Sequence, residues 1–473
     1  MTNLVDRVVG YFDPKAQVER SRARAILVKR RYEGASKADR FKGWQTVDDF
    51  WAERGSAGAQ NTHATLRARS RYLAANNPYA KRGIKAIASH VVGKGIIPQI
   101  KSVRHEEILK AWADTTACDK DARHDLYGLE YIVMKTIVEA GECLIVRRPQ
   151  RASDGVLPIK IEVLEPDFLD MTRVMNGANH VVSGIEFDRD GRRVAYWIFP
   201  AHPAERLGTS LVSNRIPAAN VIHTFEMLRP GQVRGLPWIT PVIVRLKDFD
   251  EFEDARLVRE KLGAALVGFV QDMQFSPTMS DEEIKEFREF RPGSFEILPP
   301  GKTITFSNPP STQGYREFAE TALHAIAAGL EVPFEVLTGN YSNVNYSSAR
   351  LAFLEFYRSI DHWRHHVLIP QVLTRVMDWF LDAVELMGLA DGRPPVTWTP
   401  PRRELIDPEK DNAAIKDAVR CGFIPLSQAI REYGNDPEDV MKEIAADNKA
   451  LDRLGLTLDT DPRKGGTPNI AHP

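Results

Sequence analysis

The sequence predicts an α+β protein, and three observations carry that expectation. Short strand patterns are confined to about residues 128–226. Long helical patterns lie on both sides of them. Asp-Pro pairs and glycines then punctuate the C-terminal stretch as helix starts and stops. The 473 residues suffice for about three domains at roughly 150 residues each, so core burial is no constraint.

Taken in order, the first forty residues are basic and helical in pattern, with Arg20, Arg22, Arg24, Lys29, Arg30 and Arg31 closely spaced. Such a run is most often a solvated face and in a minority of cases binds phosphate. A second helical segment, about Asn61 to Val92, carries Arg67, Arg69 and Arg71 and breaks at Asn76-Asn77-Pro78, because proline disfavours helix at the residue before it. Val91-Val92-Gly93-Lys94-Gly95-Ile96 reads as a turn from helix into strand. Glu142 to Val146 and Ile159 to Val163 read as strands, the second with clean alternation. The strongest hairpin runs from Ile185 to Phe199, with Asp190-Gly191 expected to supply the positive torsions of a tight turn. Together these make a small, mostly antiparallel sheet flanked by helices.

Gly235-Leu236-Pro237 is expected to open a long helix over about 237–267, with Val242, Leu246, Phe249, Phe252 and Leu257 as its apolar seam. Its acids (Asp248, Asp250, Glu251, Glu253, Asp254) come first and its bases (Arg256, Arg259, Lys261) last, as the helix dipole prefers. A compact αβ insertion follows, about 270–310. There Ser280 caps Asp281, Glu282 and Glu283, and Ser294 to Leu298 and Thr303 to Ser307 read as strands around Pro299-Pro300-Gly301. A further helix, about 313–329, sets Tyr315, Phe318, Ala319, Ala322, Leu323 and Ile326 on one face and ends at Gly329 and Pro333. Past a polar loop at 338–346, a long helical stretch over about 347–388 is expected to kink at Pro370. Asp407-Pro408 and Asp436-Pro437 start the last helices, Gly422 and Gly455 end them, and the tail from Asp459 is expected to be loose.

Composition excludes several classes. Cys118, Cys143 and Cys421 are too few and scattered for a disulfide framework or a zinc site, which fits a reducing compartment. The longest apolar run, Leu262 to Val270, has nine residues and includes two glycines, so no membrane span or signal peptide is expected. Lys and Arg number 63 against 64 Asp and Glu, yet residues 1–105 hold 21 against 8 and the remainder 42 against 56. A basic quarter ahead of an acidic body points to a polyanionic partner or to self-assembly.

Catalytic motifs fail on spacing. Gly301-Lys302-Thr303 is similar to the end of a phosphate-binding loop, but Glu296 stands where that loop needs glycine, and Ile304-Thr305-Phe306 looks extended where it needs a helix. His362, His365 and His366 lack the glutamate of a zinc-binding H-E-x-x-H and have Arg364 inside the run, so a packed or subunit-facing surface is favoured. No G-x-S-x-G elbow is present, and the acids at 248–254 read as a solvated face before they read as magnesium ligands. No cofactor or metal is expected. What stands out is Gly339-Asn340-Tyr341-Ser342-Asn343-Val344-Asn345-Tyr346-Ser347-Ser348, a loop without charge and dense in amides and hydroxyls. On its residues alone it reads first as an ordinary polar turn; the other reading is that, without a cation, it touches a sugar–phosphate backbone but does not grip it.

The segment Leu323 to Arg350 resembles the corresponding part of lambda-family portal proteins of tailed double-stranded DNA phages: an Ile-Ala-Ala-Gly-Leu helix end, an Asn-Tyr…Tyr-Ser-x-Ala-Arg loop, then a long helix. Further matches fall in the same order: Arg67-Ala68-Arg69-Ser70-Arg71 with Asn76-Asn77-Pro78, Val91 to Gly95, Arg234-Gly235-Leu236-Pro237, Ile406-Asp407-Pro408 and Gly434-Asn435-Asp436. The similarity covers roughly residues 25–455; the segment 270–312 has no motif match, so contacts assigned there rest on position alone.

The resemblance implies a portal fold and a ring, typically of twelve subunits, at one capsid vertex. DNA is pumped in through its axis by the terminase and later leaves into the tail. Residues 1–236 would be the wing, 237–269 a stem helix, 270–312 the clip, 313–337 the second stem helix and 338–347 the channel-lining tunnel loop. Residues 348–395 would be the kinked long helix, 396–456 a helical crown and 457–473 a flexible tail. It implies the tunnel-loop residues Asn340, Tyr341, Ser342, Asn343, Val344, Asn345 and Tyr346, and a stem acidic face of Asp248, Asp250, Glu251, Glu253 and Asp254. Candidate basic wing contacts are Arg24, Lys29, Arg30, Arg31, Arg67, Arg69 and Arg71; clip contacts to motor or adaptor are Asp281, Glu282, Glu283 and Lys285. The implied partners are further copies of the chain, duplex DNA without sequence preference, the large terminase subunit, a head–tail adaptor and the major capsid protein or scaffold. No membrane is involved; the site of action is the virion, after assembly in the host cytoplasm. The competing readings are a metal-dependent nuclease or other DNA-processing enzyme using the 248–254 acids, and a monomeric adaptor.

Overall fold

The computed structural model describes residues 57–151, 155–173, 175–176, 179–204, 212–264, 268–272, 302–306, 314–342, 346–403 and 407–456. The basic residues Arg24, Lys29, Arg30 and Arg31, the clip residues Asp281, Glu282, Glu283 and Lys285, the strand expected at 294–298 and the tail from Asp459 lie outside the described residues. The chain divides into two compact units, Val244–Ile326 and the remainder.

In the larger unit, helix α1 (Ala57–Asn76) is followed by α2 (Pro78–Val92). The expected break is a cap: the side chain of buried Asn77 accepts the Ala80 N–H at 2.8 Å, and Pro78 occupies the first helical position, where its missing donor costs nothing. Gly93, at φ 55°, ends α2 and leads into strand β1 (Ile97–Ile100). Helices α3 (Val103–Ala113) and α4 (Leu126–Ala140) follow; Asp125 caps α4 at Gly128 N–H, 2.7 Å, and Gly141 in the left-handed region ends it. Helices α2 and α4 pack together, burying Ile84, Ile87, Val91, Met134 and Ile137.

The strand region holds two antiparallel sheets rather than the one expected. Strands β2 (Glu142–Pro149), β3 (Ile159–Leu164) and β9 (Val221–Phe225) pair in the order β3-β2-β9, in the register Leu144↔Leu164 and Ile145↔Ile222. The first five residues of β2 are all buried, which is why that strand shows no alternation. The second sheet runs β4-β5-β6-β7-β8: Met175–Asn176, His180–Val182, Ile185–Phe187, Arg193–Ile198 and Asn214–Pro217. Leu144, Val146, Leu164 and Val221 of the first sheet and Ile185, Phe187, Tyr196 and Ile198 of the second fill one core. The β6–β7 hairpin forms where expected, but only Gly191 has positive φ (79°). Asp188 closes the turn instead, its carboxylate accepting the Asp190 and Arg192 N–H groups at 3.0 and 2.8 Å.

After the smaller unit the chain forms a short helix, Phe334–Thr338, and then helix Tyr346–His362. The helix runs on as a π-helical stretch, Trp363–Leu373, followed by helix Thr374–Leu386. Pro370 lies in the π stretch. The five-residue bond from Thr374 N–H to Ile369 O belongs to that wider winding, which accommodates a residue that has no N–H and whose ring crowds the preceding turn. Strand β12 (Val396–Thr399), hidden between prolines in the sequence and unforeseen, pairs antiparallel with β1 in the register Ile97↔Thr399. The helices Pro408–Arg420 and Pro437–Leu454 begin on the Asp407 and Asp436 caps as expected, with Leu426–Glu432 between them.

The long helix before the insertion spans Ile243–Ala264, starting later than its sequence pattern suggests. The residues ahead of it give their N–H groups elsewhere: Gly235 to Glu142 and Trp238 to Val138 O, at 2.9 and 3.0 Å. In the smaller unit, strands β10 (Gly268–Asp272) and β11 (Lys302–Phe306) pair antiparallel. Helix Tyr315–Gly329 follows. Phe252 stacks on Tyr315 and meets Phe318, with centroids 6.2 and 4.5 Å away, while the Arg256 guanidinium lies 4.0 Å from the Tyr315 ring.

Candidate functional site

The polar loop is fixed at its start by α2. A Cβ on Gly83 would stand 2.8 Å from Leu330 Cδ1 and 3.3 Å from Leu337 Cδ1, so glycine lets helix Phe334–Thr338 approach closely. Beside it Arg82 donates from Nε to Val336 O at 2.7 Å, a cation at a helix C-terminus. Gly339 then turns the chain at φ 73°, with the Arg82 guanidinium against it. Asn340 Oδ1 accepts the Ser342 N–H and hydroxyl at 3.1 and 2.7 Å, a local turn that holds Asn340, Tyr341 and Ser342 exposed. Asn343, Val344 and Asn345 lie outside the described residues; Tyr346 opens the following helix. Arg82 was not singled out in the sequence, since nothing local marks which cation of α2 meets a segment 254 positions away.

The acids of helix Ile243–Ala264 do not form one face. At about 100° per residue they spread around the axis. Glu253 accepts the Tyr315 hydroxyl at 3.0 Å, Glu251 pairs with Lys247 at 3.4 Å, Asp248 and Asp250 are half-buried, and Asp254 is exposed.

Two of the expected basic contacts are paired inside the fold. Arg67 is 1% exposed; its Nη2 bonds Asp167 at 3.1 Å and its Nη1 lies 3.7 Å from Glu142. Arg71 sits 2.6 Å from both Glu165 and Asp167. Both guanidiniums are neutralised within the chain. Arg69 is half-exposed.

Glu142, fully buried at the start of β2, is the hub of this charge network. Arg234 donates to it from Nε at 2.9 and 2.8 Å and also from Nη2, Gly235 N–H at 2.9 Å, and His223 Nε2 at 2.9 Å. His223 Nδ1 in turn faces Arg193 Nη1 at 3.5 Å, so the ring is a neutral imidazole protonated on Nε2. Burial pushes the Glu142 carboxyl up, but the Arg234 charge and the His223 and Arg234 hydrogen bonds outweigh it and hold the group well below the usual carboxylate range. Burial brings His223 down to about 4. A Cβ on Gly235 would fall 2.0 Å from Gly141 O, so only glycine fits there. The Arg67 and Arg234-Gly235 motifs therefore join α1, β2 and the segment ahead of the long helix.

Neither remaining cluster supports chemistry. His362, His365 and His366 are exposed, with the first and last rings 5.0 Å apart. Arg364 between them is buried and donates to Val91 O and His90 O at 2.7 and 2.8 Å, closing the C-terminus of α2. Glu165, Asp167 and His202 gather ligand atoms within 4.8 Å, but Arg71 occupies both carboxylates and Arg67 one of them, so a metal ion would have to displace guanidiniums. Burial pushes the Cys118 thiol up to about 12, and Cys143 is likewise buried and raised, so neither is an activated nucleophile. Among the described residues no helix is long and apolar enough to cross a membrane.

Comparison with known proteins gives a consistent set. A family model described as phage portal protein, lambda family, matches residues 39–364. A probable portal protein of Halomonas phage phiHAP-1 is 26% identical over 450 residues, covering 87% of this chain and 86% of that one. Portal protein B of Escherichia phage lambda is 21% identical over 365 residues, 67% and 68% of the two chains. Among solved structures, a chain from the neck of an empty GTA particle aligns over 78% of this chain and 93% of its own, with 18% identity and a TM-score of 0.49.

Proposed function

The chain belongs to the lambda family of phage portal proteins, and we propose that it closes into a ring at one capsid vertex whose axis carries duplex DNA inward during packaging and outward at ejection. Portal proteins are structural components of the capsid rather than enzymes. The proposed ring has twelve copies; its partners are the large terminase subunit, a head–tail adaptor and the major capsid protein or scaffold, and it assembles in the host cytoplasm. Residues 237–269 and 313–337 are the proposed stem helices and 270–312 the proposed clip, with Asp281, Glu282, Glu283 and Lys285 as the proposed contacts to motor or adaptor; residues 244–326 of this span form a compact unit of their own. Residues 338–347 are the proposed tunnel loop, 348–395 the long helix behind it and 396–456 the crown.

The observation that carries this reading is the exposed, uncharged turn at Gly339–Ser342, held at its start by Arg82 and Gly83. Ring symmetry multiplies each axial residue by the copy number, so a cation in the loop itself would become a collar that grips phosphate. Amides and hydroxyls exchange contacts with a sliding backbone. Long charged helices suit the lateral, closed heterologous interfaces of a ring. Asn343→Lys or Asn345→Lys is expected to slow or stall packaging, measured as DNA protected per particle; unaltered packaging would argue that the loop does not line the channel.

A further inference from the structure

Between Gly55 and His105 the sequence contains no Asp or Glu. Two cations of this stretch, Arg67 and Arg71, are neutralised inside the chain by acids from beyond it. Lys81, Arg82 and Lys85 of α2 are exposed, and their spacing of one and four residues places all three in a sector of about 100°. The opposite face of α2, with Ala80, Ile84, Ile87, Ala88 and Val91 buried, is the one that packs, so the basic face cannot turn inward. Among the described residues neither Lys81 nor Lys85 has a carboxylate within ion-pair distance. Arg82 is held by a neutral carbonyl, and its terminal nitrogens stand against Gly339 at the start of the exposed loop.

We propose that Lys81, Arg82 and Lys85 form a strip that contacts the phosphodiester backbone of duplex DNA beside the loop. The inference rests on the reading of that loop as channel lining. From Lys81 to Lys85 the helix rises about 6 Å, and B-DNA carries one charge per ~1.7 Å of axis, so one strip faces several phosphates. Point charges of this kind neutralise phosphate without reading bases, which matches a duplex that passes irrespective of sequence. The neighbouring Asn340 and Tyr341 are exposed and carry amide and phenol groups that complement phosphate and sugar oxygens. Because the cations stand at the loop's base, they attract the duplex without placing a charge in the loop itself.

The test uses the full chain, with sedimentation to score ring formation and fluorescence anisotropy to score binding of a short labelled DNA duplex over roughly 50–200 mM salt. Lys81→Gln/Lys85→Gln leaves the Arg82–Val336 bond in place. It is expected to weaken binding about tenfold or more and to reduce the slope of log affinity against log salt by about 1 for each phosphate no longer neutralised. Lys81→Arg/Lys85→Arg is expected to retain binding. Rings of the double Gln variant that bind DNA with unchanged affinity and slope overturn the strip, whatever acidic protein surface it then meets; so does equal weakening in the double Arg variant. Wild-type protein that forms no ring fails the channel reading itself, on sedimentation alone.

Discussion

Replacing Glu142 with Gln leaves Arg234 buried beside a neutral amide, and removing one partner of a buried ion pair typically costs about 3–5 kcal/mol. Glu142→Gln is therefore expected to lower the thermal midpoint sharply, or to prevent folding, as read by calorimetry. His223 sets the pH response of the same cluster. Its folded value of about 4 lies below the ordinary histidine value near 6.5, so the unfolded chain takes up a proton first as pH falls. Stability is expected to decline progressively from about pH 6.5 to 4. The Glu142 contribution, full above the usual carboxylate range, is lost as pH falls through that range and below it. His223→Gln should flatten the decline between those limits; an unchanged pH profile would contradict the assignment. The motif residues Arg67 and Arg234 were legible in the sequence, but their role was not, because Arg234 meets its carboxylate across 92 positions and no local pattern records such a pairing.

Elements were legible where their ends are decided locally. Asp407, Asp436 and Asn77 each cap a helix through hydrogen bonds from N–H groups two or three residues on, and each was marked by the proline that follows. Asn77→Ala is expected to cost about 1 kcal/mol, measured by chemical denaturation. Where distant chain intervenes, the sequence misled. The helix Ile243–Ala264 starts late because Gly235 and Trp238 bond to Glu142 and Val138, and β12 exists because β1 offers it an edge. Arg364 marks the same boundary from the other side: read as an interruption in a histidine run, it is a cap on α2. Arg364→Met, which removes the donors of two carbonyls, is expected to destabilise by about 1–3 kcal/mol. Gly235→Ala forces Cβ onto Gly141 O and is expected to destabilise at least as much as core overpacking, about 1–3 kcal/mol.

At the scale of the whole molecule, motif order carried the family and charge distribution pointed to a polyanionic partner or to self-assembly, because both survive as one-dimensional patterns. The distribution misled only in detail: part of the basic surplus is consumed inside the fold at Arg67 and Arg71, and part is displayed on α2. A single chain exposes its polar loop to solvent, and the account requires copies of that loop to surround a common axis. The direct measurement is electron microscopy of the purified protein with sedimentation of the same sample. The account predicts closed rings with a central hole, at a mass several times the 53.3 kDa of one chain. Solitary particles without a pore, sedimenting as one chain, would contradict it.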